Sequence, residues 1–529
     1  MPGRSGWQYG CRVPPPRRRD AARNERPAAG SAVAPAATPP AFARAPVLAF
    51  AGLVAAVLLA LAGRYGPHRD ELYFAAAGRH LAWGYPDQPP LTPLLARIAD
   101  SIAPGSLIAL RTPSALAAAA VVVLAALAAR ELGGARPAQI LAAAVTATSG
   151  VILITGHLLS TTTNDILIWA TITYLALRAL VRDQPRLWLV VGAVAGVGLE
   201  NKHLVAFLLA GLAVGVALSP AARRHATSPW AWAGAAIAVA LWLPNLIWQA
   251  SHGWPQITLA GDVRGEYGVV GERLAYVLLQ IVLISPLAAP LWVAGLVALF
   301  RRPGLAATRP IAWAYVVLLL TFLVVGGKGY YLAGLYPVLV AAGLVMLAER
   351  WAGRPRLLAA AGAALAIAGL LVLPAGLPVL PERTFVSSIW SGIGEEQRET
   401  IGWPEFVDAV SAARAQIPPA SRARAIVLTG NYGEAGAVEW YGKDIGLPPV
   451  YSGHNGFGLW GPPPDGSGPV LVAGYGRTAP PGLSGCRVAA RVENRAGADN
   501  EERGGEILIC QGPSVSWRTL WPSIVHLSA

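Results

Sequence analysis

Apolar runs close to 20 residues long recur from Phe42 to Leu380, and this repetition constrains the fold before any motif is read. A helix of that length crosses the hydrocarbon core of a bilayer, and it satisfies its own backbone hydrogen bonds where no water is available. Only 13% of the 529 residues are charged and 54% are hydrophobic, too apolar for an ordinary soluble protein. The first run begins after roughly forty residues, has no obvious small-residue cleavage site and leads into more spans, so it reads as a span and not as a signal peptide.

About eleven spans are expected, near 43–62, 107–129, 138–155, 165–181, 187–200, 203–219, 230–248, 272–300, 311–326, 330–348 and 357–380. The eighth carries Pro286 and Pro290 and is expected to kink or to divide in two. The tail 1–41, with Arg17-Arg18-Arg19, reads as disordered and cytoplasmic. Threading the spans from there places Arg130 and Arg136, Arg182 and Arg186, Arg223 and Arg224, Arg301, Arg302 and Arg309, and Arg350, Arg354 and Arg356 in successive inside loops. That is the positive-inside pattern. It accounts for much of the +13 net charge without nucleic acid, for which no basic and aromatic interleaving is present. The basic side faces anionic membrane lipids. The expected fold is a polytopic α-helical membrane protein, 42–380, in a plasma (inner) membrane, with a C-terminal extracytoplasmic α/β domain, 381–529.

The polar residues at span ends gather on the outer side. Outer loop one, 63–106, holds Arg69-Asp70-Glu71 and the turn Gly84-Tyr85-Pro86-Asp87-Gln88-Pro89-Pro90. A short helix is expected after Asp70 towards Trp83. An amphipathic interfacial helix is expected where Leu91, Leu94, Leu95, Ile98 and Ile102 fall at helical spacing. Other outer turns hold Asn164-Asp165, Asn201-Lys202-His203 and Gly327-Lys328-Gly329-Tyr330-Tyr331. Asp70 and Asp165 each admit two readings, a helix cap or a functional acid at the membrane edge. For Lys202 and Lys328 the alternatives are snorkelling and phosphate contact by a compact ammonium. Lysine is scarce here, three among 42 basic residues, so arginine would serve ordinary snorkelling.

In the C-terminal part, Ala425–Leu428, Val470–Ala473 and Ile507–Ile509 read as strands, and Phe406–Gln416 and Glu434–Tyr441 as helices. Cys486 and Cys510 lie where an oxidising compartment allows them to pair, whereas Cys11 is expected inside and free.

Asp70-Glu71, the Tyr85-Pro86-Asp87-Gln88-Pro89-Pro90 turn, Asp165 and Lys328-Gly329-Tyr330-Tyr331-Leu332…Leu335-Tyr336-Pro337 together resemble the GT-C membrane glycosyltransferases. The branch is that of the protein O-mannosyltransferases and the lipid A aminoarabinose transferase. The stretch Tyr451-Ser452-Gly453-His454-Asn455…Trp460-Gly461-Pro462-Pro463-Pro464 is similar to bacterial members of that branch. The resemblance implies a hexosyl- or pentosyltransferase that takes sugar from a polyprenyl-phosphate carrier and passes it, with inversion, to a glycan, lipid or protein acceptor outside the membrane. It implies Asp70 as base, with Glu71 and Asp165 as further acids, and Lys328, Lys202 and Arg69 as contacts for the donor phosphate. Tyr85, Asp87, Gln88, His203, Tyr330, Tyr331 and Tyr336 would line the substrate cavity. Gln88 departs from relatives that place Lys or His before the Pro-Pro pair. No cofactor and no metal site is expected, although two facing acids leave a divalent metal possible. A transporter or flippase of lipid-linked saccharides should show internal repeats and mid-membrane charges, which are absent. A membrane-anchored carbohydrate-binding assembly factor would not need so many spans.

Overall fold

The computed structural model describes residue 10, residues 38–476, 479, 480 and 482–528. The expectations for Arg17-Arg18-Arg19, Cys11 and nearly all of the tail lie outside the described residues. Helix α1 (Arg44–Leu61) is followed by two loop-one helices, α2 (Arg69–Arg79) and α3 (Leu91–Ile102). Then come α4 (Leu107–Glu131), α5 (Arg136–Ala147), α6 (Gly150–His157), α7 (Thr161–Arg182), α8 (Leu187–Leu199), α9 (Leu204–Leu218) and α10 (Pro229–Ser251). The remaining helices of this region are α11 (Pro255–Tyr267), α12 (Val270–Val282), α13 (Ala289–Arg301), α14 (Arg309–Val325), α15 (Tyr336–Arg350) and α16 (Pro355–Leu370). Among the described residues, seven helical stretches are long and apolar enough to cross a membrane: α1, α4, α7 and α10, and the regions of α14, α15 and α16 with their flanking turns. The bent pair α5–α6 makes eight, and α8, α9 and α13 are shorter apolar helices.

Two of the expected runs are broken, the second where Pro286 and Pro290 predict a kink or a division, and the breaks repair each other. The run 138–155 divides into α5 and α6, bent by 52°, and 272–300 divides into α12 and α13. At the first break Thr148 Oγ1 turns back to the Ala144 carbonyl, 2.9 Å. The N–H groups of Gly150 and Val151 then donate to the carbonyls of Ile284 and Leu283 in the second break, at 3.1 and 3.2 Å. Irregular backbone at membrane depth is tolerated where protein supplies its partners.

In loop one, α3 buries Thr92, Pro93, Ala96 and Ala99 against the protein. It leaves Leu94, Ile98 and Ile102 exposed along the opposite stripe, as an interfacial helix requires. The C-terminal part forms a five-stranded sheet in the order β2-β1-β3-β5-β4. Strands β1 (Ile426–Thr429), β2 (Val450–Ser452) and β3 (Val470–Ala473) are parallel. Strands β4 (Ser484–Arg491) and β5 (Glu506–Gln511) pair antiparallel, and β5 also runs antiparallel to β3. Cys486 and Cys510 form a disulfide between β4 and β5. The fully buried β1 and β3 are apolar but for Thr429 at the end of β1, whereas β2 is three residues and the mostly exposed β4 begins Ser-Gly-Cys-Arg, so neither announces itself as a strand.

The carboxyl end of β1 leads into helix Tyr432–Tyr441, started by a reciprocal cap between Asn431 and Glu434. This helix lies on α2. A Cβ on Gly436 would come within 2.8 Å of Leu72 Cβ and 2.9 Å of its carbonyl carbon, and one on Gly433 within 2.7 Å of Arg69 Cβ. Glycines one turn apart thus permit the close approach that joins the soluble part to loop one.

Candidate active site

The site begins with how α2 starts. His68 is the N-cap, its Nδ1 accepting the Asp70 N–H at 3.1 Å, and Glu71 returns the bond by accepting the His68 N–H at 2.9 Å. Since Nδ1 accepts, Nε2 carries the proton towards Glu396, 3.2 Å away. The cap is therefore supplied by His68 and Glu71, and the Asp70 side chain is left for another use.

Glu71 departs from its expected role. It is fully buried and bound by Arg111 through Nε and Nη2, at 2.9 and 2.7 Å. It also accepts the Leu159 N–H at 2.8 Å. Arg111 in turn donates to the carbonyls of Ala62 and Gly66, at 2.6 and 2.9 Å. With its oxygens taken by an arginine and two backbone amides, Glu71 ties α2 to α4 and has no free lone pair aimed at a substrate.

Asp70 instead lines a cavity of about 410 Å³. Its polar end holds His68, Asp70 and Glu396, and its walls are apolar: Val151, Ile154, Leu279, Val282, Leu283 and Pro286 among them. The floor therefore includes the paired breaks described above. From the soluble part, the Tyr432 hydroxyl donates to Asp70 Oδ1 at 2.9 Å. The Tyr432 ring stacks on Tyr73, centroids 4.7 Å apart, and the Tyr73 hydroxyl donates to Asp87 Oδ1 at 2.8 Å. Two carboxylates are thus held by two stacked tyrosines. Burial pushes the Asp87 carboxyl up to about 7, with the Tyr73 hydrogen bond opposing and the Asp70 charge adding to the rise.

Asp165 is likewise not a cap, because Ser160 fills that position by accepting the Thr163 N–H. Its Oδ1 is buried without a hydrogen-bond partner among the described residues. The Asp165 carboxylate attracts the Lys202 ammonium, which also feels the charges of Lys328 and Asp70. Burial lowers the Lys202 ammonium to about 8 against the attraction of Asp165. Lys202 Nζ lies 5.4 and 5.3 Å from the ring centres of Tyr330 and Tyr331, in cation–π range. Lys328 lines a neighbouring cavity of about 550 Å³ that shares Tyr330, Leu279 and Val282 with the Asp70 cavity. Its Nζ stands 5.1 Å from the Tyr267 ring centre. Asp70, Asp165, Lys202 and Lys328 therefore meet around the Tyr330-Tyr331 turn.

Other expected site residues lie elsewhere. Arg69 points to the soluble part, pairing with Glu501 at 3.2 Å. The Tyr85 hydroxyl donates to the carbonyls of Ala77 and His80, at 3.0 and 3.1 Å, and locks the turn after α2. Gln88 is buried with its Nε2 unpartnered among the described residues, and its carbonyl accepts the Tyr85 N–H. His203 turns to α10, its Nε2 2.9 Å from Asn245 Oδ1. Tyr336 is core, its hydroxyl donating to Gln280 Oε1 at 2.8 Å and lying 3.2 Å from that of Tyr315. Sequence reasoning missed His68, Tyr73 and Tyr432. The first two flank Asp70-Glu71, but Tyr432 is 362 residues from Asp70 and carries no local signal. Among the described residues no group of three or more His, Cys, Asp or Glu is placed to hold a metal ion.

Residues 87–248 match a family model described as dolichyl-phosphate-mannose-protein mannosyltransferase. No curated protein matches the chain. Among solved structures, ArnT from Cupriavidus metallidurans bound to undecaprenyl phosphate is 12% identical, with a TM-score of 0.55, covering 89% of this chain and 98% of that one. Its apo form gives 13%, 0.53, 88% and 98%. The Archaeoglobus fulgidus oligosaccharyltransferase in complex with Zn and sulfate gives 16% identity and a TM-score of 0.46, covering 75% of this chain and 61% of that one. The ArnT likeness shows the fold: an ArnT-like helical membrane protein with a C-terminal sheet-containing domain. The family match, which covers residues 87–248 and neither Asp70 nor the tyrosine turn, and the ArnT-like fold agree with the resemblance drawn from the sequence.

Proposed function

We propose that this protein transfers a hexose or pentose from a polyprenyl-phosphate carrier to an acceptor hydroxyl at the extracytoplasmic face of a plasma (inner) membrane. The observation that carries the reading is the position of Asp70: a carboxylate released from capping, at the polar end of an apolar cavity, beside a cavity holding a lysine without an ion pair among the described residues. A prenyl tail lies in the apolar part and its phosphate at the polar end. The undecaprenyl phosphate in the ArnT structure of matching fold supports a ligand of that class.

Asp70 takes the acceptor proton as the acceptor oxygen bonds to the anomeric carbon. The carbon–oxygen bond to the phosphate breaks on the opposite side, and polyprenyl phosphate leaves with the electron pair. Lys202 and Lys328 meet the charge that develops on the phosphate, and Asp165 orients Lys202. Single displacement inverts the anomeric centre. In this reading 42–380 is the catalytic membrane part, 381–529 covers it from outside and the N-terminus is cytoplasmic. No step passes through a metal.

The test is turnover. Purified protein in lipid nanodiscs is given polyprenyl-phosphate mannose, glucose or arabinose with glycan, glycolipid and peptide acceptors, and free polyprenyl phosphate is measured. Acceptor-dependent release from at least one donor is expected. No release above a heat-denatured control from any combination overturns the reading.

A further inference from the structure

A cavity larger than the one that holds Asp70 lies elsewhere. It is a cleft of about 730 Å³ on the outer side, between the ends of α2 and α3 and the helix Tyr432–Tyr441 with the segments that follow it. Its volume is that of a small-molecule site. We infer that this cleft binds an uncharged oligosaccharide, a ligand apart from the lipid-linked donor.

The lining has the chemistry of a sugar site. Trp440, Tyr451 and Trp460 border the cleft, are half-buried, and make no hydrogen bond through their indole N–H or phenol O–H among the described residues. Such groups join an apolar ring to a polar atom, which matches a pyranose or furanose with its C–H faces and rim of hydroxyls. Trp460 is fixed in place by a parallel stack on His80, centroids 4.2 Å apart and planes 15° apart, so its ring is held before any ligand arrives. Pre-ordering of this kind lowers the entropy lost on binding.

Charge argues against an anionic ligand. Arg79 is already paired with Glu439 across the cleft wall. The rest of the charged lining mixes Lys443 with Asp100 and Asp444, with no free arginine fork for a phosphate or carboxylate. A peptide added as a strand needs a run of backbone donors, but the segment leading into the edge strand here is Pro448-Pro449, which has no N–H to offer.

The cleft is joined to the candidate site by aromatic packing. Phe457 and Trp460 form part of its wall and lie 6.3 and 6.4 Å, centroid to centroid, from Tyr73, the residue that holds Asp87. A glycan seated there is anchored next to the acids without touching Asp70.

The experiment is binding, measured by calorimetry on full-length protein in nanodiscs, because glycoside detergents would compete. The probes are neutral mannose-, glucose- and arabinose-based hexasaccharides, an oligogalacturonate, and a Ser/Thr-rich peptide. Saturable binding of at least one neutral oligosaccharide is expected, weakened about tenfold or more by Trp440→Ala and by Trp460→Ala. Trp440→Phe, which keeps the packing and removes the N–H, is expected to weaken it severalfold and serves as the variant least liable to misfold. Asp70→Asn should bind the same oligosaccharide as tightly as the unaltered protein, which separates this proposal from the transfer reaction. Binding of the peptide or the oligogalacturonate alone overturns the inference. So does neutral-sugar binding that none of the tryptophan variants changes, or no saturable binding at all.

Discussion

Tyr432 donates its hydroxyl to Asp70 Oδ1 at 2.9 Å, joining the sheet-containing part of the chain to a carboxylate of loop one across 362 residues. The candidate acid is therefore held by both halves of the molecule. Tyr432→Phe removes one hydrogen bond and keeps the ring stacked on Tyr73. Sugar transfer is expected to fall about tenfold, the value of one such bond to a charged group, with the melting temperature little changed. Tyr432→Ala also removes the stack, and should cost more in both rate and stability.

Glu71→Ala should destabilise the fold and not merely slow the reaction. It leaves Arg111, 1% exposed, buried without its partner, a loss of roughly 3–5 kcal/mol. The paired change Glu71→Leu with Arg111→Met should recover much of that loss. Thermal unfolding of the unaltered protein and the two variants in one nanodisc preparation checks both statements.

Gly436→Leu should loosen the soluble part from loop one. Even the Cβ would fall within 2.8 Å of Leu72 Cβ and 3.0 Å of its carbonyl oxygen, and overpacking of this kind costs about 1–3 kcal/mol. Faster limited proteolysis between the two halves, with the spans still helical by circular dichroism, is the expected outcome.

Donor affinity should weaken as pH rises through about 8. The Lys202 ammonium is lowered to about 8 by burial, so it is charged below that pH and loses its charge above it. A sugar phosphodiester keeps its single charge throughout, so the change with pH comes from the protein. Lys202→Arg, always protonated, should flatten the upper limb, and Lys202→Ala should bind weakly at every pH. Equilibrium binding of the donor from pH 6 to pH 10 measures this.

Much of this arrangement was legible before the structure, for physical reasons that differ by residue. Span-length apolar runs announce helices. The aligned face of α3 follows from spacing alone. The breaks at Thr148–Ser149 and Leu283–Ala288 were partly hidden, because the hydrogen bonds that join them link segments far apart in sequence. Asp70 and Asp165 stood out as acids at membrane edges, but their freedom from capping appears only once His68 and Ser160 are seen to cap. Glu71 looked like a partner for Asp70 because adjacent residues share a label in sequence. On a helix, successive side chains point about 100° apart, and Glu71 faces Arg111 instead. Tyr336 was misplaced in a similar way: the turn at Tyr330-Tyr331 borders the cavity, while the helix it leads into enters the core.

The most direct measurement is single-turnover transfer by Asp70→Asn and Asp70→Glu in nanodiscs, with donor binding followed in the same samples. If the carboxylate at the mouth of the lipid cavity removes the acceptor proton, Asp70→Asn binds donor within about threefold of the unaltered protein yet transfers at least about a hundredfold more slowly, and Asp70→Glu recovers part of the rate. Transfer by Asp70→Asn at the unaltered rate would contradict the account.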